Sequence, residues 1–215
     1  MIGHKNPTKK VRLKTFKVLI LLTLFQSSSL SSYGFQGLNE SGIERKVDSL
    51  LNECRRVSRK PDSLALLGFK LLRLGVKHKH ERSSIEGYFA LGFSNYNKGN
   101  YREAKLYYDS AIEIQSRDEK KYYRSLKRVV RNRGILYRNT GEGDKSALDF
   151  SYLLRLAADY NDYLGQAYAY NELGILSKNK NQHNGAINYY EKAILILDSL
   201  ENPRLVFGFS GDFQR

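Results

Sequence analysis

Between residues 39 and 200 the apolar positions recur at helical spacing, not at the alternation of strands. Ile43, Val47, Leu50, Leu51 and Cys54 form one stripe, which predicts a helix. Pro61-Asp62-Ser63 then starts a second helix carrying Leu64, Leu67, Leu71 and Leu74. Near the other end Ala186, Tyr190, Ala193, Ile194 and Leu197 recur at i, i+4, i+7, i+8 and i+11, a core-facing stripe. The three prolines are Pro7, Pro61 and Pro203, so nothing from 62 to 202 forces a helix to break. With sixteen tyrosines and no tryptophan, Tyr carries much of the packing.

The pattern also repeats. Tyr88-Phe89-Ala90-Leu91-Gly92 is followed by Gly99-Asn100-Tyr101-Arg102-Glu103-Ala104, Tyr107-Tyr108 and Ala111-Ile112. Tyr170-Asn171-Glu172-Leu173-Gly174 is followed by Asn181 to Ala186, Tyr189-Tyr190 and Ala193-Ile194 at the same spacing. A diverged copy lies between them: Arg133-Gly134, Tyr137, Gly141 and Ala147, with one residue inserted in the turn 141–144. The glycines Gly92, Gly134 and Gly174 are 42 and 40 residues apart.

Tyr88, Leu91, Gly92, Ala104, Tyr108 and Ala111, and again Tyr170, Leu173, Gly174, Ala186, Tyr190 and Ala193, resemble the tetratricopeptide repeat. The usual closing proline is missing, Tyr96 sits one place beyond the expected aromatic, and the period exceeds 34, which predicts lengthened helices. The resemblance implies an all-α solenoid of antiparallel helical hairpins. Its parts are a degenerate hairpin over 35–81, three regular hairpins over 82–200 and an irregular tail over 201–215. The long period is that of exported bacterial members. The tail is too short and Gly-rich to cap the stack, so the last hairpin is expected to expose apolar surface, open to self-association or continuation.

Residues 1–34 are set apart. Bases to Lys17 precede an apolar run from Val18 to Phe25 and small polar residues Ser27 to Ser32, the layout of a secretory signal peptide with cleavage after Gly34. An uncleaved anchor is the alternative, and the only membrane attachment expected. The predicted location is periplasmic or at the surface of a bacterium.

Charge changes less than it first suggests. The net charge is +14, but residues 1–34 hold six bases and no acid, leaving 30 bases against 22 interspersed acids. That weakens a nucleic-acid reading. The single cysteine excludes an internal disulfide, and Cys54 reads as a small buried hydrophobe. Gly141-Glu142-Gly143-Asp144-Lys145-Ser146 lacks phosphate-loop spacing and reads as a turn. No metal-ligand, paired-acid or nucleophile–base pattern stands out, so neither an enzyme nor a cofactor is predicted.

The resemblance implies that the first helix of each hairpin lines a concave groove that binds peptides. In the middle hairpin the groove positions include Arg128, Arg131 and Arg138, beside Asn132; in the last they include Asn171 and Lys178. This set suits an acidic peptide or carboxylate through charge-assisted bonds, or else it is a solvated face balanced by nearby acids. Phe89, Phe93 and Tyr96 form either an aromatic patch in the same groove or packing against the first hairpin. Two function classes follow: a non-enzymatic protein-binding scaffold of the cell envelope, or the truncated or standalone sensory region of a bacterial histidine kinase or transcriptional regulator in signal transduction.

Overall fold

In a computed structural model, residues 39–200 are described. They form eight α-helices and no strand: α1 (Glu40–Arg56), α2 (Pro61–His78), α3 (Glu81–Asn97), α4 (Tyr101–Gln115), α5 (Glu119–Asn139), α6 (Gly143–Asp159), α7 (Tyr163–Asn179) and α8 (His183–Ser199). Each helix packs on the next, and the buried clusters bridge successive helices without merging. This is the all-α solenoid expected from the sequence. The signal peptide expected over 1–34 and the irregular tail expected over 201–215 lie outside the described residues.

Ile43, Val47 and Leu50 of α1 meet Leu67 and Leu71 of α2, with Cys54 at the edge. Burial pushes the Cys54 thiol up to about 11, so it stays protonated and unreactive near neutral pH. A close helix crossing that the repeat pattern did not predict is that of α2 on α3. A Cβ at Gly87 would meet the Leu72 backbone nitrogen at 2.7 Å, and the Ser83 hydroxyl donates to the Leu71 carbonyl at 2.7 Å.

The three regular hairpins share one internal geometry. The repeated glycine of the first helix faces an aromatic ring of the second: Gly92 against Tyr108, Gly134 against Phe150, Gly174 against Tyr190. The turn between them places a left-handed residue seven positions after that glycine: Gly99 at φ 77°, Gly141 at φ 78° and Asn181 at φ 59°. Gly and Asn are the residues that adopt this conformation at least cost. The turns are therefore equal in length, and no residue is inserted over 141–144. The counterpart of Ala104 and Ala186 is Ser146, not Ala147. Ser146 is fully buried, and its hydroxyl donates to the Gly134 carbonyl at 2.9 Å, so a small polar residue fills the alanine site at no hydrogen-bonding cost.

The 42-residue spacing has a local cause. α5 runs 21 residues against 17 for α3 and α7, and its extra turn precedes Gly134, while α4 is two residues shorter than α6. The first helices of the regular hairpins also begin with side-chain caps. His80 Nδ1 accepts from the Ser83 N–H at 3.2 Å, Asp118 from Lys121 at 3.0 Å and Asp162 from Gly165 at 2.9 Å. The second helices, which follow tight turns, have no such bond at Asn100, Glu142 or Gln182.

In the last hairpin the predicted stripe is inward: Ala186, Tyr190, Ala193 and Leu197 are buried. Ile187 and Leu195 of α8 stay exposed on the other side, Leu195 at 68%.

Candidate functional site

The first helices of three hairpins border a groove of about 1190 Å³ between α1, α3 and α5. Phe89 and Phe93 of α3 and Leu51 and Cys54 of α1 supply apolar wall. Phe89, Phe93 and Tyr96 stack in series along α3, ring centroids 6.0 and 6.5 Å apart and planes within 10°. All three are half-buried. Phe89 also packs on Tyr108 inside its own hairpin, and the Tyr96 hydroxyl accepts from the Asn139 amide at 2.6 Å. Phe89 and Phe93 border the groove; Tyr96 ties α3 to the end of α5.

The predicted arginine face divides. Arg128 borders the groove, pairs with Glu86 of α3 at 2.5 Å and lies 4.0 Å over the Phe89 ring. Arg131 instead stacks 4.0 Å over Tyr168 of α7. Arg138 pairs with the buried carboxylate of Glu172 of α7 and borders a second hollow of about 300 Å³ with Asn179 and Lys180. Asn132 turns its amide back to the Arg128 carbonyl at 2.8 Å, a bond within the helix. Asn171 is half-buried and Lys178 exposed on α7. The structure thus joins Arg128 with Phe89 and Phe93 and draws Arg131 and Arg138 to α7. Stacked repeats face like positions together: Glu86 and Arg128 both lie six residues before their glycine, and that register is the signal by which the sequence points to their pairing.

Several groove residues carried no such signal. Lys120 and Arg124 of α5 and Lys79 at the α2–α3 corner border the groove, Lys120 on the extra first turn of α5. Glu81 accepts from Tyr122 and Lys121, and these bonds hold its carboxyl below the usual range. Glu44 of α1 joins His80 and Arg82, and Arg82 also pairs with Asp48 at 2.6 Å. These ion pairs fasten α1 to α3 across one end of the groove.

The sequence departure before the second glycine also has an answer. Arg133 stands where Leu91 and Leu173 stand in the other hairpins. It donates twice to Asp149 of α6, at 2.6 and 2.9 Å, and once to Asp109 of α4 at 2.8 Å. Burial pushes the Asp149 carboxyl up, and the guanidinium offsets this only in part.

Among the described residues no group of three or more His, Cys, Asp or Glu side chains could hold a metal ion, and no helix is long and apolar enough to cross a membrane. Models of the tetratricopeptide repeat match residues 85–118 and 167–196. The chain carries tetratricopeptide repeats at these two places. The hairpin with Arg133 and Ser146 in place of Leu and Ala lies between the two matched repeats.

No curated protein matches the chain. Among solved structures, BtubC (BKLC) from P. vanneervenii is 16% identical with a TM-score of 0.52, over 80% of this chain and 85% of that one. A structure of MamA is 16% identical with a TM-score of 0.45, over 80% of this chain and 99% of that one. At such identities the likeness concerns the fold alone, here the stack of tetratricopeptide repeat hairpins.

Proposed function

We propose that this protein is a non-enzymatic interaction scaffold of the cell envelope, which holds a segment of another protein in the groove between α1, α3 and α5. The observation that carries the reading is the groove itself. Its volume of about 1190 Å³ exceeds the roughly 300–1,000 Å³ usual for small-molecule pockets. It is open along three helices and walled by the Phe89–Phe93 stack, the kind of surface on which an extended peptide or a helix buries apolar side chains. The envelope setting is supported by residues 1–34, with their basic start and short apolar run.

A peptide-display selection against the full chain tests the groove. Enriched clones are expected to lose binding to a Phe93→Arg variant whose far-UV circular dichroism and Tm match the parent. A selection that enriches nothing, or clones that ignore the substitution, would overturn the reading. Fractionation of the native host with N-terminal sequencing tests the address: a chain starting at Phe35 outside the cytoplasm is expected, and a cytoplasmic chain with its first residues intact would refute it.

A further inference from the structure

The groove's charges are unevenly committed, and this bears on the occupant assumed in the preceding reading. Its acids are mostly engaged: Glu44 by His80 and Arg82, Glu81 by Lys121 and Tyr122, Glu86 by Arg128. Lys79, Lys120 and Arg124 border the same space, are exposed, and have no acidic partner among the described residues. Lys120 and Arg124 are four residues apart on α5 and share a face. In the same wall the Arg128 Nε is buried without a hydrogen-bond partner. The remaining wall is apolar, with Phe89 and Phe93 stacked 6.0 Å apart.

We propose that the groove takes an acidic protein segment with an apolar anchor: carboxylates meet Lys120, Arg124 and Lys79, and an aromatic or aliphatic side chain lies against Phe89 and Phe93. Desolvation at the apolar wall strengthens each charge-assisted bond beside it. The arginines further along α5 contribute little, because Arg131 is stacked on Tyr168 and Arg138 is neutralised by Glu172. A nucleic acid fits less well. Its unbroken run of phosphates would pass the carboxylates of Glu40, Glu44, Glu81 and Glu86, whereas a short acidic segment can stay at the wall of Lys79, Lys120 and Arg124.

Fluorescence polarisation with the full chain tests this. The probes are three fluorescein-labelled peptides of equal length: an Asp/Glu run followed by Phe-Leu, its Lys/Arg counterpart, and the acidic run followed by Ser-Ser. Oligouridine RNA is the fourth probe. The acidic Phe-Leu peptide is expected to bind at least about tenfold tighter than the other two peptides, and less tightly as salt rises. Lys120→Glu with Arg124→Glu should abolish the preference for acid, while Lys70→Glu with Arg73→Glu on α2 should leave it intact. A basic peptide bound equally well, a preference that survives the α5 double variant, or oligouridine as the tightest probe would each overturn the proposal. Display clones that are apolar, unbiased in charge and lost in Phe93→Arg would overturn it too, yet leave the groove reading standing. If no peptide depends on Phe93, both fail.

Discussion

Leu91 and Leu173 precede the repeated glycine in the first and third regular hairpins, and Arg133 holds that place in the second. The leucines are buried and need nothing from their neighbours beyond shape. Arg133 is only part-buried at this place, where Asp109 on α4 and Asp149 on α6 meet its guanidinium. A family pattern thus tolerates a charged residue at a core position where the two flanking helices supply the countercharge. The apolar version is robust to its surroundings, whereas the ionic version ties three helices together and fails if one partner is lost.

The largest expected effect tests this contrast directly. Asp149→Ala should destabilise the chain by about 3–5 kcal/mol, because it leaves the Arg133 guanidinium buried with one partner fewer. Combining Asp149→Leu with Arg133→Leu should recover most of that loss, since an apolar pair already serves in the other hairpins. Urea unfolding of the three proteins checks it, and a double variant no more stable than Asp149→Ala would break the comparison.

Next come the glycines. A Cβ at Gly92 would lie 2.6 Å from the Tyr108 ring, while one at Gly134 would lie 3.0 Å from Phe150. Gly92→Ala should therefore cost about 1–3 kcal/mol through overpacking. Gly134→Ala should cost less than about 1 kcal/mol, since helix propensity gains up to roughly that much. Thermal melts of the two variants rank them, and equal losses would show that the ring contacts do not set the difference.

The smallest effect lies at the helix caps. Burial raises the Asp162 carboxyl, but bonds from Lys127, Tyr123 and the Gly165 N–H outweigh it, and the net direction is downward. A carboxyl lowered on folding gives stability that is complete above the unfolded Asp value of about 3.9 and is lost as pH falls through the folded value. Asp162→Asn keeps a good cap, so it should cost about 1 kcal/mol or less at pH 7 and shrink the acid-side fall in stability. Denaturant midpoints measured from pH 7 down to about 2.5 check the shape. An unchanged acid limb would show that Asp162 is not among the groups that drive acid unfolding.

Much of this fold was legible in the residues. Ile43, Val47 and Leu50 announced α1, and the Leu-Gly, Ala and Tyr-Tyr spacing announced α3, α4, α7 and α8. The middle hairpin was legible as a hairpin but misaligned. Matching small residues to small residues paired Ala147 with Ala104, and only the turn geometry shows that Ser146 fills the site with its hydroxyl bound to the Gly134 carbonyl. The candidate site was legible in part. Phe89, Phe93 and Arg128 do come together, but Arg131 and Arg138 are three and ten residues along the same helix and turn to α7. Helical spacing tells which residues share a face; it does not tell which neighbouring helix supplies their countercharges.

The sequence by itself determined the helices, their hairpin pairing and the repeat, because apolar periodicity, tight-turn residues and the Gly-aromatic contacts act over short separations in the chain. Tertiary structure decided which charges cancel, apart from the repeat register that sets Glu86 level with Arg128. Glu86 and Arg128, Arg138 and Glu172, and Arg133 and Asp109 are 42, 34 and 24 residues apart, and nothing local links them. The superhelical stacking of one hairpin on the next brings each pair together. By the same stacking it leaves Lys79, Lys120 and Arg124 facing the groove without acidic partners among the described residues.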